Sequence, residues 1–333
     1  MIAIYLYPQA GFNTELRSDT LWGMICWGIR NIYGQMALEE YIDSCLTGVP
    51  EFIISSAFPF KESDHGKEHF VPRPILPSGT YEDVSEKLTK REAIIKSTQD
   101  KSSKKKQYIG IEDFEKLANG EGDLQLTLAR TDAPKIKSFS FTHNTIDRIK
   151  GGTLKKDNMG QLFHVDEYFF DTGEHDNARY GLYFFADGPD MSKLEGAMRW
   201  LSHVGIGGDR NIGKGKFKIA MADFDIRQPE GSNAMTTFSL FLPSREKKEL
   251  DGFITNPLFN YLIEERRGFY GFLKYRQFMK PPVKMFREGS VFPAMDISIP
   301  GSLIKISQNN QDNDYTHPVY HYGIGFMIKM KIS

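Results

Sequence analysis

Thirteen residues, Gly205 to Phe217, hold five glycines together with Arg210, Lys214 and Lys216. Glycine permits positive φ and close backbone approach. Exposed N–H groups beside cations make an anion cradle, so Gly205, Gly207, Gly208, Gly213 and Gly215 with the three cations point to a phosphate chain as ligand. Gly208 to Gly215 nearly spells the NTPase P-loop, but Gly215 stands where that motif needs Ser or Thr for magnesium. A P-loop also runs strand, loop, helix, and here the order is reversed. Ser192 and Glu195 have the spacing of a capping box, and Leu194, Ala197, Met198 and Leu201 follow at helical spacing. After the loop, Lys216 to Ile226 alternates like a strand. A glycine-rich turn with no ligand is the alternative reading.

Other residues could act on an anion or a proton. Arg17 and Ser18 open a helix whose bare N–H groups could receive phosphate, although capping by Ser18 and Asp19 accounts for the same residues. Arg73, between Pro72 and Pro74, is a pre-set cation on a stiff segment or an anchor of its loop. His143, Asp147 and Arg148 have the types for acid–base chemistry, which requires hydrogen-bond reach to the proton. Asp147 reads instead as a structural hydrogen bond, and Arg148 as a binding cation rather than a proton donor. From Glu264 to Arg287, seven Lys or Arg, Arg276 among them, are interleaved with six aromatics. That pattern suits single-stranded nucleic acid, and equally a sheet with an aromatic core and a basic face. His65 to His69 spells H-x-x-E-H, but Gly66 and the flanking prolines deny it a helix. His317 and His321, in an extended segment, would lie about 13 Å apart. No metal site and no cofactor are expected.

The elements that position these residues follow from periodicity. Met1 to Tyr7 reads as a strand. A helix runs from Ser18 or Asp19 to about Tyr33 and stops at Gly34; its two apolar faces imply cover on both sides. Phe52 to Phe58 is a strand, and residues 80–125 are a polar insertion with a lysine-rich stretch at 96–106 and a short helix near Ile111 to Leu117. Residues 136–170 form a long hairpin, and Tyr180 to Ala186 an apolar strand. With helix 192–204 and strand 216–226 the order is β-α-β-β-α-β, the ferredoxin-like arrangement. A linker at Arg227 to Asn233 leads to a second domain, opened by a strand at Thr236 to Leu242. The domains expected are 1–227 and 228–333.

Composition narrows the class. With 333 residues and 40% hydrophobic residues the chain builds real cores. A net charge of −1 leaves nucleic-acid binding to local patches. Cys26 and Cys45 make no disulfide framework, and no apolar run is long enough to span a membrane. The start of the chain reads as a strand rather than a leader, so a cytoplasmic protein is expected.

Helix, basic glycine-rich loop and strand resemble the G-rich loop of the RAMP superfamily of CRISPR RNA-binding proteins. Ser18 to Gly23, Ala57 to Phe60 with Pro72 to Pro74, Thr142 to Arg148, and Glu288 to Phe292 add motifs in the family's order. Together they resemble the family of fourth subunits of the Csm complex, the type III-A CRISPR interference machine. The resemblance implies an α+β fold of two ferredoxin-like (RRM-like) domains with insertions, the hairpin reaching over the guide RNA as a thumb. It implies a non-catalytic subunit that caps the 5′ handle of the CRISPR RNA, docks the large polymerase-like subunit and abuts a backbone RAMP subunit. The RNA-binding set is then Arg17, Ser18, Arg73, His143, Arg148, Arg276, Arg287 and the loop residues above. The alternative is a metal-independent endoribonuclease that processes CRISPR RNA precursor, using His143 with Arg148, or His203.

Overall fold

The computed structural model describes residues 1–76, 105–147, 149–156, 159–171, 178–244, 248–268, 279–297, 299–306 and 318–332. The apolar stretch at the start forms β1 (Ile2–Pro8), buried from Ala3 to Leu6. Ile4 and Leu6 face one core, Ala3 and Tyr5 another, as alternation in a strand dictates. Helix α1 (Ser18–Tyr33) ends at Gly34, whose φ of 93° stops the helix. Leu21, Trp22, Ile25, Cys26 and Ile29 are buried, but Ile32 and Tyr33 are exposed. Cover on both sides therefore fails at the last turn. Helix α2 (Gln35–Thr47) follows at once; no periodicity had marked it. Its buried face holds Tyr41, which stacks on Phe52 with centroids 4.4 Å apart.

β2 (Ile53–Ile54), β3 (Phe58–Ser63) and β4 (Gly66–Pro72) come next, and then β5 (Tyr108–Gly110), α3 (Ile111–Ala118) and α4 (Leu124–Arg130). The end of the expected polar insertion is thus built of regular elements, with Phe114, Leu117 and Leu124 in the second core. Residues 80–104 lie outside the described residues. β6 (Ile136–Asn144) pairs along its whole length with β11 (Leu162–Phe170). The tip carries the short pairs β7 (Ile146–Asp147) with β8 (Gly152–Thr153), and β9 (Lys155–Lys156) with β10 (Met159–Gly160).

β12 (Arg179–Asp187), α5 (Ser192–Val204) and β13 (Phe217–Asp223) complete the N-terminal unit. The central sheet runs β13-β1-β12-β3-β4-β5, every pair antiparallel. Among β1, β3, β12 and β13, counted in sequence order, this is 4-1-3-2. β12 divides its side chains as β1 does: Leu182, Phe184 and Ala186 face the helices, Tyr183 and Phe185 the opposite core. α1 and α5 touch where Gly28 meets Ala197; a Cβ on Gly28 would lie 2.7 Å from the Ala197 Cβ. The capping box does not form. Asp190, not Ser192, accepts the first bond, from the Ser192 N–H at 2.9 Å.

β14 (Ala234–Thr237) lies between β17 (Val291–Pro293) and β20 (Met327–Met330). It is shorter than the expected strand, since its regular ladder ends at Thr237; the buried chain beyond bonds to other segments, with Phe241 bridging Phe286. β15 (Ile263–Arg266) pairs with β16 (Val283–Phe286), and β18 (Leu303–Lys305) with β19 (Tyr320–Tyr322). Among the described residues, 228–333 carries strands and turns and no helix. Phe238, Phe326 and Ile328 share a core with Tyr183 and Phe185. The chain is a mixed α+β structure built on antiparallel sheets. Among the described residues no helix is long and apolar enough to cross a membrane.

Candidate nucleic-acid interface

The glycine-rich loop closes on itself. Gly205 ends α5 with φ 89°, and its N–H donates to the Leu201 carbonyl. The Ile206 N–H donates to the Gly215 carbonyl at 2.8 Å, and the Gly215 N–H to the Gly11 carbonyl at 2.9 Å. At Gly215, with φ 65°, a Cβ would lie 2.0 Å from the Ile206 oxygen; no other residue fits that crossing. Gly207 and Gly208 rest on Thr14 and Asn13, the Gly208 N–H donating to Thr14 Oγ1 at 3.0 Å. The N–H groups of Ile212, Gly213 and Lys214 also find acceptors within the loop. Much of the N–H set expected to form the cradle is thus already bonded, and the glycines also let the chain fold back on residues 11–14. Gly213 is open, and a Cβ there would meet nothing within 4 Å.

The loop's cations divide. Lys214 is paired, its Nζ 2.5 Å from Glu167 Oε1 on β11. Lys216 is exposed and Arg210 half-buried, and neither forms an ion pair with a described residue. Asp209, with φ 53°, turns the chain into a short 3-10 turn at Arg210–Ile212 and accepts a bond from Asn13 Nδ2 at 2.7 Å.

The hairpin leaves the body beside this loop. Phe12 and Tyr168 form a β-bridge, with the Tyr168 N–H donating to the Phe12 carbonyl at 2.7 Å. A groove of about 460 Å³ opens there, lined by Gly11, Phe12, Tyr168, Phe170, Arg179 and Tyr180. Farther out, Phe139, Phe141 and Phe163 are exposed. His143 lies on the Phe163 ring, centroids 5.5 Å apart and planes 22° from parallel. Arg148 lies outside the described residues, as do Arg276 and His317.

Three expected contacts lie elsewhere, where the N- and C-terminal halves meet, Ser18 buried and Arg17 and Arg287 half-buried. Ser18 is fully buried; its N–H donates to Ser56 Oγ at 2.9 Å, and its Oγ accepts from the Leu240 N–H at 3.0 Å. Neither Ser18 nor Asp19 caps α1. Arg17, 15% exposed, pairs with Glu264 and lies 3.7 Å from Glu288. Burial alone would lower the Arg17 pKa, but the Glu288 and Glu264 carboxylates outweigh it and hold the guanidinium more firmly charged than usual. Ser56 Oγ donates to Glu288, Arg266 grips Asp19 through two bonds of 3.0 Å, and Arg287 stands 3.9 Å from Glu264. Arg17 and Ser18 thus have partners at the junction, where carboxylates and a buried hydroxyl engage them, and Arg287 lies at its edge, 31% exposed. Arg73 is half-buried beside the same junction, where its carbonyl closely approaches Gly289.

The first histidine pair lies in an extended hairpin, and of the second, His317 lies outside the described residues. His65 and His69 sit in the β3–β4 hairpin, not a helix, and His69 Nε2 is 2.9 Å from the Tyr5 hydroxyl. Burial, with Lys67 nearby, pushes the His69 pKa down to about 4. Among the described residues no group of three metal-ligating side chains forms. Sequence reasoning missed residues 9–14, which carry no charge cluster, and Glu167, which reads as an ordinary surface acid.

A strand-helix-strand body, a projecting hairpin and a self-crossed glycine loop beside its base define a class. The chain belongs to the RAMP superfamily, whose family model matches residues 7–218. The model for the CRISPR Csm4 C-terminal domain matches residues 230–330. Over almost its full length the chain resembles Csm4 proteins. It is 27% identical to CRISPR system Cms protein Csm4 of Thermococcus onnurineus (strain NA1), over 99% of this chain and 97% of that one. It is 23% identical to Csm4 of Streptococcus thermophilus, over 98% and 99%. A chain in the Csm3-Csm4 subcomplex of the type III-A CRISPR-Cas interference complex shares the fold at TM-score 0.63 and 16% identity, over 99% of this chain and 100% of that one. A chain in the Csm1-Csm4 cassette in complex with cA4 does so at TM-score 0.61 and 22% identity, over 100% and 98%.

Proposed function

We propose that this chain is a non-catalytic RNA-binding subunit of a type III-A CRISPR effector complex, acting in the cytoplasm. It caps the 5′ handle of the CRISPR RNA, docks the large polymerase-like subunit and abuts a backbone RAMP subunit. The observation that carries this reading is the meeting of hairpin base and glycine-rich loop on residues 9–14, in a chain alike from end to end to Csm4. The solved relatives named above include assemblies with Csm1 and with Csm3, which supports both protein partners. Two ferredoxin-like domains, 1–227 and 228–333, form the body of this reading; the 4-1-3-2 strand order supports the first.

Phosphates meet Lys216 and Arg210 on the open side of the loop, fixing register. Unstacked bases lie against the aromatics of the hairpin and groove, as single strands do on exposed rings. His143 joins that surface as a stacking platform, since its ring already lies on Phe163. That geometry supports stacking better than proton transfer, so we favour RNA capping over an endoribonuclease.

The test is one gel. The purified chain is mixed with labelled, repeat-containing RNA in EDTA, beside Lys216→Ala and His143→Ala. Binding without cutting, stronger for handle than scrambled RNA and with a salt slope about one unit lower in Lys216→Ala, is expected. Cutting at one repeat position, lost in His143→Ala, would replace this reading with the nuclease.

A further inference from the structure

Glu167 is the single buried residue in the two long strands of the hairpin. Every other position of β6 and β11 is exposed or half-buried, yet the anchoring position carries a carboxylate rather than an apolar side chain. A buried charge is costly unless paired, and this one is paired across the chain: Glu167 Oε1 is 2.5 Å from Lys214 Nζ. Gly11 leaves room for it, because a Cβ there would lie 2.9 Å from Glu167 Oε2 and 2.7 Å from the Phe169 ring. Around the carboxylate three segments are joined by backbone bonds. Gly215 donates to Gly11 at 2.9 Å, Gln9 to Lys216 at 2.8 Å, and Tyr168 to Phe12 at 2.7 Å.

We infer that Glu167 is a positioning residue whose ion pair with Lys214 locks the hairpin to the glycine-rich loop, so that RNA meets the two as one rigid unit. The inference rests on the RNA-binding reading above. Its immediate consequence concerns Lys214. That cation is a strut, and the phosphate contacts of the loop belong to its neighbours Arg210 and Lys216. A second consequence is directional. Because the pair lies outside the β1–β12 ladder, losing either member loosens the hairpin on its Phe12–Tyr168 bonds and leaves that ladder in place.

The experiment uses the full chain in four variants: Glu167→Gln, Lys214→Met, the double variant, and the exchanged pair Glu167→Lys with Lys214→Glu. Hydrogen exchange is followed by peptide, and binding of handle and scrambled RNA is titrated against salt. Each single variant is expected to speed exchange in 136–144, 162–170 and 205–216 about tenfold, with β1 and β12 unchanged. Handle affinity falls about tenfold in each single variant and no further in the double variant. The salt slope of Lys214→Met stays at the wild-type value, and the exchanged pair recovers part of the affinity. Exchange unchanged in the hairpin overturns the lock. So does a slope about one unit lower in Lys214→Met, which would make it a phosphate contact. Faster exchange throughout β1 and β12 would make the pair a general stabiliser and also overturn it. If the wild type binds neither RNA, the capping reading fails and the claim of a shared RNA surface falls with it, while the exchange data still decide whether the strut exists.

Discussion

Replacing Arg17 with Met tests whether the first cation of the chain holds RNA or holds the protein together. Arg17 is 15% exposed, and its carboxylate partners Glu264 and Glu288 are 29% and 7% exposed. Methionine keeps most of the volume and removes the charge, which strands Glu288 against Ser56 without the cation it faces. Breaking a buried pair in this way costs about 3–5 kcal/mol. Unfolding entropy is about 2.1 cal/mol/K per residue, or about 0.7 kcal/mol/K for this chain, so the melting temperature should fall by about 4–7 °C. Adding Glu288→Gln removes the stranded charge and should recover roughly half of that loss. The assay is differential scanning calorimetry of the three proteins, with RNA binding measured against salt in parallel. A melting temperature within about 1 °C of wild type, together with a salt slope about one unit lower, would refute the junction assignment and return Arg17 to the RNA.

Three further outcomes are expected. His69 is held neutral in the folded chain, its pKa pushed from the usual 6.5 to about 4, while the unfolded chain protonates near the usual value. Stability is therefore complete above that value and declines as pH falls towards about 4; denaturant midpoints should show this decline, flattened in His69→Gln. Gly215→Ala should cost about 2–4 kcal/mol, through positive φ and a backbone clash, whereas Gly213→Ala, in open space, should cost only about 1–2 kcal/mol; equal midpoint shifts would contradict the crossing at Gly215. Gly28→Val should lower the midpoint by an equivalent of about 1–3 kcal/mol through overpacking against Ala197, whereas an unchanged midpoint would mean that α1 and α5 separate at little cost.

Much of the N-terminal half was legible because its signals are local. Short apolar runs located β1 and β12, period-two alternation the hairpin, and period-three-to-four spacing α1 and α5. α2 was not legible, since Gly34 reads as a helix stop and the next helix begins on the very next residue. The glycine spacing at 205–215 correctly marked a special backbone. What the spacing cannot tell is whether the N–H groups are free, because their acceptors sit in part at residues 11–14. The partners of Arg17 and Ser18 were hidden for the same reason on a larger scale. They lie 247 and 222 positions away, and no window of sequence contains both ends. The basic run at 264–287 concealed the two acids that matter, Glu264 and, just beyond it, Glu288.

The largely enclosed charges at the junction act as a lock and key between the two halves of the chain. Apolar cores tolerate exchange of one hydrophobic residue for another, so halves joined only by Phe238 and Phe185 could be traded between relatives with modest repacking. Arg17, Asp19, Glu264, Arg266 and Glu288 cannot be traded piecemeal, because a foreign half lacking either partner leaves a charge buried and alone. A recombinant that keeps its own first half can therefore accept a second half only with Glu264, Glu288 and Arg266 all in place.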